Sequence, residues 1–268
     1  MRVIVTRPAP QAAKWVTGLR GAGLDALSLP LIEIVGPADA QAVREVWSVL
    51  ERWHVLMFVS ANAVEQFFAL RPATFADGSA ALPAGPRFWA TGPGTVAALL
   101  RAGVPSSCID APDHSAAQFD SEALWKVAGG QVQSGWNALI VRGQSDTENS
   151  DEAEAAQGVG RDWLAARLGE QGAAVTFLVA YARRAPQVRA SALALMQVAS
   201  SDGSVWLFSS SEAVANLCTM APGQSWQSAR AVATHPRIAD AARAAGFGVV
   251  RVSRPALADL LASIESLA

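Results

Sequence analysis

The ten residues from Val55 to Val64 (VLMFVSANAV) return in kind as Val205 to Val214 (VWLFSSSEAV), an offset of 150 positions. Each copy reads as a short strand, a hydroxyl-rich turn and the start of a helix. A second pair, Ala90-Thr91-Gly92-Pro93 and Ala233-Thr234-His235-Pro236, recurs at an offset of 143, and both continue through an alanine-rich helix to a glycine, Gly103 or Gly246. Self-similarity of this kind constrains the fold more than any other feature of the chain. It calls for two similar units, each built from strands followed by helices.

Outside the repeats the same alternation continues. Val3 to Val5, Val55 to Val59, Phe88 to Ala90, Ala138 to Val141, Val205 to Phe208, Ala231 to Ala233 and Val249 to Val252 are strand candidates, and helical segments follow most of them. That order predicts an α/β fold with parallel sheets covered on both faces. Trp15, Val16 and Leu19 share one helix face, as do Val96, Leu99 and Leu100. A last helix after Pro255 carries Leu257, Leu260, Leu261, Ile264 and Leu267 toward a core.

Two extended stretches, Leu31 to Ile34 and Phe177 to Ala182, fall outside this rhythm. If the first strand belongs with the strands after residue 200, the chain leaves one domain and later returns to it, and these stretches are the two crossings. The expected division is residues 1–35 plus 184–268 for a discontinuous domain and 39–178 for the other, with linkers about 36–38 and 179–183 pairing as a hinge. The stretch from Asp146 to Gly160 is acidic and poor in apolar residues, and it reads as a mobile surface loop.

Of the 268 residues, 51% are hydrophobic, ample for real cores, while a net charge of −2 gives no bulk attraction to nucleic acid or anionic membrane. No apolar run approaches the roughly 18 to 20 residues of a membrane span, and the opening Met1 to Pro8 reads as a strand rather than a signal peptide. The two cysteines, Cys108 and Cys218, have no metal-ligand spacing and suit a reducing compartment, most simply as apolar filler. The expectation is a cytoplasmic protein, monomeric by default.

Candidate ligand residues cluster where parallel sheets bind ligands, at the carboxyl ends of strands beside helix starts. They are Thr6 and Arg7, Ser60 and Asn62, Thr91 and Gly92, Arg142 and Gly143, Ser209, Ser210 and Ser211, and the run Thr234-His235-Pro236-Arg237. Many neutral donors with a few arginines suit a polyanionic ligand. Singly, each hydroxyl is more simply a helix cap. The three histidines, His54, His114 and His235, lack metal spacing, no nucleophile elbow surrounds Ser60 or Ser210, and Gly92-Pro93-Gly94 lacks the third glycine of a dinucleotide fingerprint. The single tyrosine, Tyr181, lies on the return crossing beside Arg183 and Arg184. A phenol, with an ordinary pKa of about 10, stays protonated at neutral pH and could donate a proton, although packing is the default role of a tyrosine.

Taken in order, Val5-Thr6-Arg7-Pro8, Pro30-Leu31-Ile32-Glu33-Ile34, Phe58-Val59-Ser60-Ala61-Asn62-Ala63-Val64, Thr91-Gly92-Pro93-Gly94-Thr95, Ser121-Glu122-Ala123-Leu124, Val141-Arg142-Gly143, Tyr181 with Arg183, Phe208-Ser209-Ser210-Ser211-Glu212-Ala213-Val214 and His235-Pro236-Arg237-Ile238 resemble the uroporphyrinogen-III synthase family over nearly the whole chain. The resemblance implies two α/β domains joined by a two-stranded linker, with the active site in the cleft between them. It implies a cofactor-independent, cyclising hydro-lyase of haem biosynthesis in the stand-alone form. The implied substrate is hydroxymethylbilane, a linear tetrapyrrole whose acetate and propionate groups would meet the strand-end residues, Ser121 among them. In that chemistry water leaves, the last ring attacks to form a spiro intermediate, and the ring closes with that pyrrole inverted. Tyr181 would protonate the departing hydroxyl, and transient contact with the preceding pathway enzyme is an expected partnership. The acidic stretch 146–160 is longer than the family pattern leads one to expect.

Two rivals are a non-enzymatic module that captures an anion or tetrapyrrole by hinge closure, and a nucleotide-dependent or flavodoxin-like carrier. The incomplete glycine fingerprint weighs against the second.

Overall fold

The computed structural model describes residues 1–73, 85–113, 116, 119–145 and 163–267. The chain divides into two compact units, one of Met1–Glu33 with Arg184–Ala268 and the other of Ile34–Arg183. The stretch 146–160 and His114 lie outside the described residues.

In the first unit, β1 (Arg2–Val5), β2 (Asp25–Ser28), β9 (Val205–Phe208), β10 (Arg230–Ala233) and β11 (Val249–Val252) form a sheet of order β11-β10-β9-β1-β2. All of its neighbouring strands are parallel. In the second, β3 (Glu33–Val35), β4 (Val55–Phe58), β5 (Arg87–Ala90), β6 (Ile109–Asp110), β7 (Asn137–Ser145) and β8 (Ala174–Arg184) give the order β3-β8-β7-β4-β5-β6. The pairs of β4 with β5, β4 with β7, β5 with β6 and β7 with β8 are parallel. Setting β3 aside, β9, β10 and β11 occupy the places of β4, β5 and β6, while β1 and β2 occupy those of β7 and β8. The two units therefore share one sheet plan but begin at different strands, as circular permutants do. This is why the repeat could be read only across part of each unit.

Strict alternation builds the second unit's core on both faces of its sheet. Leu56, Phe58, Phe88, Leu139 and Val141 point to one side, against Val64 and Phe67 of the helix Ala61–Ala69 and Leu99 of the helix Pro93–Arg101. Val55, Met57, Trp89, Ala138 and Ile140 point to the other, against Leu124, Ala128, Leu164 and Leu168. In the first unit Val3, Val5, Val205, Leu207 and Val232 pack on Trp15, Val16, Leu19, Leu260 and Ile264. Trp206, Phe208, Trp226 and Phe247 form an aromatic group in the same unit, with Trp226 and Phe247 stacked at 5.5 Å.

Several local expectations need correction. Leu100 is 47% exposed, because Thr95, Ala98 and Leu99 supply the buried face of its helix. Leu257 is likewise exposed, while Leu260 and Ile264 are fully buried. Of Leu31 to Ile34, only Glu33 and Ile34 enter a strand. Leu31 and Ile32 are buried without strand pairing, and the buried Asn216 amide donates to the Leu31 carbonyl at 2.8 Å. Cys108 and Cys218 are half-buried rather than core filler, and burial raises the Cys218 thiol above its ordinary value.

An ion pair anchors the far edge of the second unit's sheet. Arg87 reaches both carboxylate oxygens of Asp110, at 2.5 and 2.6 Å, and Trp89 Nε1 donates to the same carboxylate at 3.0 Å. These hydrogen bonds raise the Arg87 guanidinium above its ordinary value.

Candidate active site

Parallel register places the polar strand-end residues of each unit on one edge. In the first unit Val5 pairs with Leu207 and Phe208 with Ala233, so Thr6, Arg7, Ser209 and Thr234 all follow strands that end together. In the second, Phe58 pairs with both Ala90 and Val141, which brings Ser60, Thr91 and Arg142 to a common edge. Of the seventeen residues singled out from the sequence, Thr6, Arg7, Ser209, Ser210, Ser211, Thr234, His235, Pro236 and Arg237 belong to the first unit. Ser60, Asn62, Thr91, Gly92, Ser121, Arg142, Gly143 and Tyr181 belong to the second.

Helix caps account for several of these side chains. Ser60 accepts from the Ala63 amide at 3.2 Å, Ser210 from Glu212 at 3.2 Å, and His235 through Nδ1 from Arg237 at 3.2 Å. Each satisfies an amide the helix start would otherwise leave without a partner. Gly92 opens the helix Pro93–Arg101 with no side-chain cap, and the exposed Phe119 lies against it. Both repeated helices end in glycines with a left-handed backbone, Gly103 at φ 90° and Gly246 at φ 92°, so the shared glycine is a conformational requirement. Ser121 is buried as the first residue of its helix. The cap there is Asp120, which accepts from Ala123 at 2.8 Å, a role its position before a Ser-Glu start could have signalled.

Thr6 is fully buried, and its hydroxyl donates to the Leu207 carbonyl at 2.8 Å, bracing β1 against β9. Arg7 lies 4.5 Å from the centre of the Trp15 ring, with one terminal nitrogen donating to Gln11 at 2.9 Å and its Nε buried without a partner among the described residues. Burial lowers its pKa from the ordinary arginine value, as expected for a cation held away from water. Arg142 sits 5.0 Å from the centre of the Phe177 ring. The Ser211 hydroxyl is buried without a partner among the described residues.

The tightest cluster joins Ser60, Gly143 and Tyr181. Pairing between β7 and β8 is regular from Asn137 to Arg142, which faces Val179. It then slips by one residue, so that Gly143 faces Tyr181. Without that irregularity Gly143 would face Ala180. The extra residue turns the Tyr181 side chain onto the core side together with Leu178 and Ala180. The phenol is 3% exposed, its ring lies on Gly143, and its hydroxyl meets Ser60 Oγ at 3.2 Å. Among the described residues no group of three or more His, Cys, Asp or Glu side chains could hold a metal, and no helix is long and apolar enough to cross a membrane.

Comparison with known proteins gives this geometry a family. A model of the uroporphyrinogen-III synthase HemD family matches residues 13–262. A uroporphyrinogen-III synthase from Salmonella typhimurium is 28% identical over 192 residues, covering 68% of this chain and 65% of that relative. Among solved structures, a mutant uroporphyrinogen III synthase of the extremely thermophilic bacterium Thermus thermophilus superposes with a TM-score of 0.54 at 16% identity, covering 100% of this chain and 98% of that one. A uroporphyrinogen-III synthetase of Helicobacter pylori gives 0.50 at 15% identity, with both chains covered in full. At such identities the structural likenesses speak to the fold alone, and it is the α/β fold of parallel sheets seen here. The family match, running from the first helix into the last, shows that this chain belongs to the uroporphyrinogen-III synthase family.

Proposed function

We propose that the protein is a uroporphyrinogen-III synthase, cyclising hydroxymethylbilane with loss of water and inversion of the last pyrrole ring. The match of residues 13–262 to that family carries this reading. The strand-end residues support it: backbone amides at helix starts, hydroxyls and a few arginines suit a substrate that bears many carboxylates.

In the proposed reaction the Tyr181 phenol protonates the terminal hydroxyl, the carbon–oxygen bond breaks, and water leaves behind an electron-poor azafulvene. The last ring attacks through its substituted carbon to give a spiro intermediate, which fragments and recloses with that ring turned over. The unaided reaction closes without inversion, so the enzyme's main contribution is to hold the chain where only the spiro route is in reach. Amide dipoles at the helix starts steady the charges that develop. We read Arg7, Arg142 and Arg237, with Thr6, Asn62, Thr91, Gly92, Ser121, Ser209, Ser210, Ser211, His235 and Pro236, as the surroundings of the substrate carboxylates. The domain linkers form a hinge, no cofactor is used, and the enzyme works in the cytoplasm as a monomer that meets the preceding pathway enzyme only transiently.

Incubating the purified protein with hydroxymethylbilane and separating the type I and type III products tests the reading. Type III product above the spontaneous background is expected. Binding of the bilane with only type I product formed would instead make the protein a binding module.

A further inference from the structure

The Ser60 hydroxyl occupies two positions of consequence at once. It accepts the Ala63 amide at the start of the helix Ala61–Ala69, and it lies 3.2 Å from the Tyr181 hydroxyl. A serine hydroxyl has one proton to donate and two lone pairs with which to accept. With one lone pair committed to the Ala63 amide, its proton remains available to the phenol oxygen. A donor at that oxygen turns the phenol's own proton away from Ser60.

The ring lies directly over Gly143. Its Cε2 and Cε1 lie 2.5 and 2.7 Å from where a Cβ on Gly143 would stand, and its Cζ lies closer still, so the phenol fills the place of the missing side chain. The register slip between Arg142 and Gly143 is what brings that glycine opposite Tyr181. The Gly143 backbone lies on one side of the phenol and the helix-capping Ser60 hydroxyl meets its oxygen.

We propose that Ser60 is a positioning residue whose Oγ, anchored by the Ala63 amide, donates to the Tyr181 oxygen and so presents the phenolic proton to the leaving hydroxyl of the substrate. The proposal rests on the synthase reading above, and it reassigns Ser60 from contact with substrate to alignment of the acid. Proton flow is simple: the phenol gives its proton to the departing hydroxyl and is reprotonated from water after release, while Ser60 keeps its own proton throughout.

Ser60→Gly is the informative variant, because glycine at a cap position costs a helix little while the hydroxyl is removed. Its kcat for type III product should fall about 10- to 100-fold, the scale of a misaligned reacting group, with KM unchanged. Ser60→Thr, which keeps a hydroxyl, should restore most of the rate. In a Tyr181→Phe background the same change should add no further loss, since residues acting as one unit are not additive. Tyr181 is the only tyrosine, so 13C-tyrosine labelling gives a single ring spin system. The resonance of its hydroxyl-bearing carbon should move in Ser60→Gly, with Tm lowered only by the few degrees, about 2–4 °C, that a lost hydrogen bond brings. A raised KM with kcat intact would make Ser60 a substrate contact, and multiplied losses in the double variant or an unmoved ring resonance would also overturn the proposal. If the wild-type protein forms no type III product, the synthase reading fails by itself, and the labelled spectra still decide whether Ser60 holds the phenol.

Discussion

Gly143 leaves the space that the Tyr181 ring occupies: a Cβ at Gly143 would stand 2.5 Å from the ring's Cε2 and closer still to its Cζ. No side-chain carbon tolerates that approach, and the ring is buried in the same core cluster as Leu178, Ala180 and Phe58. Gly143→Ala should therefore destabilise the protein by about 1–3 kcal/mol, the usual cost of overpacking a core, and, if the phenol is the acid of the proposed synthase reaction, lower the rate of type III synthesis as it is displaced. Urea unfolding with the turnover assay checks both. An alanine variant of unchanged stability and rate would show that the phenol does not depend on this glycine.

Tyr181→Phe removes a single oxygen from a ring whose packing is otherwise unchanged. The lost hydrogen bond with Ser60 should cost about 1 kcal/mol of stability. If the phenol is the acid, kcat should fall toward the lower end of the roughly 10² to 10⁴-fold range for general acids, because the departing hydroxyl leaves readily. Near-full type III synthesis would reject the catalytic assignment while leaving the family untouched. A loss of rate that tracks a loss of Tm would make the tyrosine a structural element instead.

Arg7 illustrates stability given up for a charge. Its guanidinium is lowered in pKa by burial, which means that the charged form carries a cost in the folded state at neutral pH. Arg7→Met keeps a long apolar side chain against Trp15 and removes that cost, so stability should change by no more than about 1 kcal/mol and in either direction. If Arg7 meets a substrate carboxylate, KM should rise at least about tenfold with kcat nearly intact, the pattern of lost uniform binding. Steady-state kinetics beside a urea melt separates the two effects. An unchanged KM would confine Arg7 to packing.

Asp110 should behave in the opposite way. Its carboxylate is 8% exposed and holds Arg87 through two nitrogens and Trp89 through a third. Asp110→Ala strands both donors, and a loss of about 2–4 kcal/mol is expected, with Arg87's partial exposure to water moderating the figure. KM and kcat should be unaffected at temperatures where the variant is folded. Thermal melts followed by kinetics on the folded fraction provide the check, and a specific loss of kcat would place this cluster in the active site.

The sequence by itself determined the strand-and-helix repeats, the α/β class and the family, because all three rest on local patterning. Val55 to Val64 and Val205 to Val214 carry their strand, turn and cap within ten residues, and Gly103 and Gly246 mark helix ends through a backbone conformation that glycine adopts readily. Ser60 and Ser210 were legible as caps for the same reason, since each meets an amide two or three residues away, while the cap that His235 supplies through its ring nitrogen carries no such signal in the sequence. Tertiary structure alone decided that the units are permuted copies, because β1 and β7 acquire equivalent places only through pairing with strands distant in the chain. It also decided the setting of Tyr181. Counting by twos from Leu178 puts Tyr181 on the side opposite Ala180, and only the slip of register against Gly143 turns it inward to the Ser60 hydroxyl. A register is a relation between two strands, so neither strand's residues specify it until the other is in place.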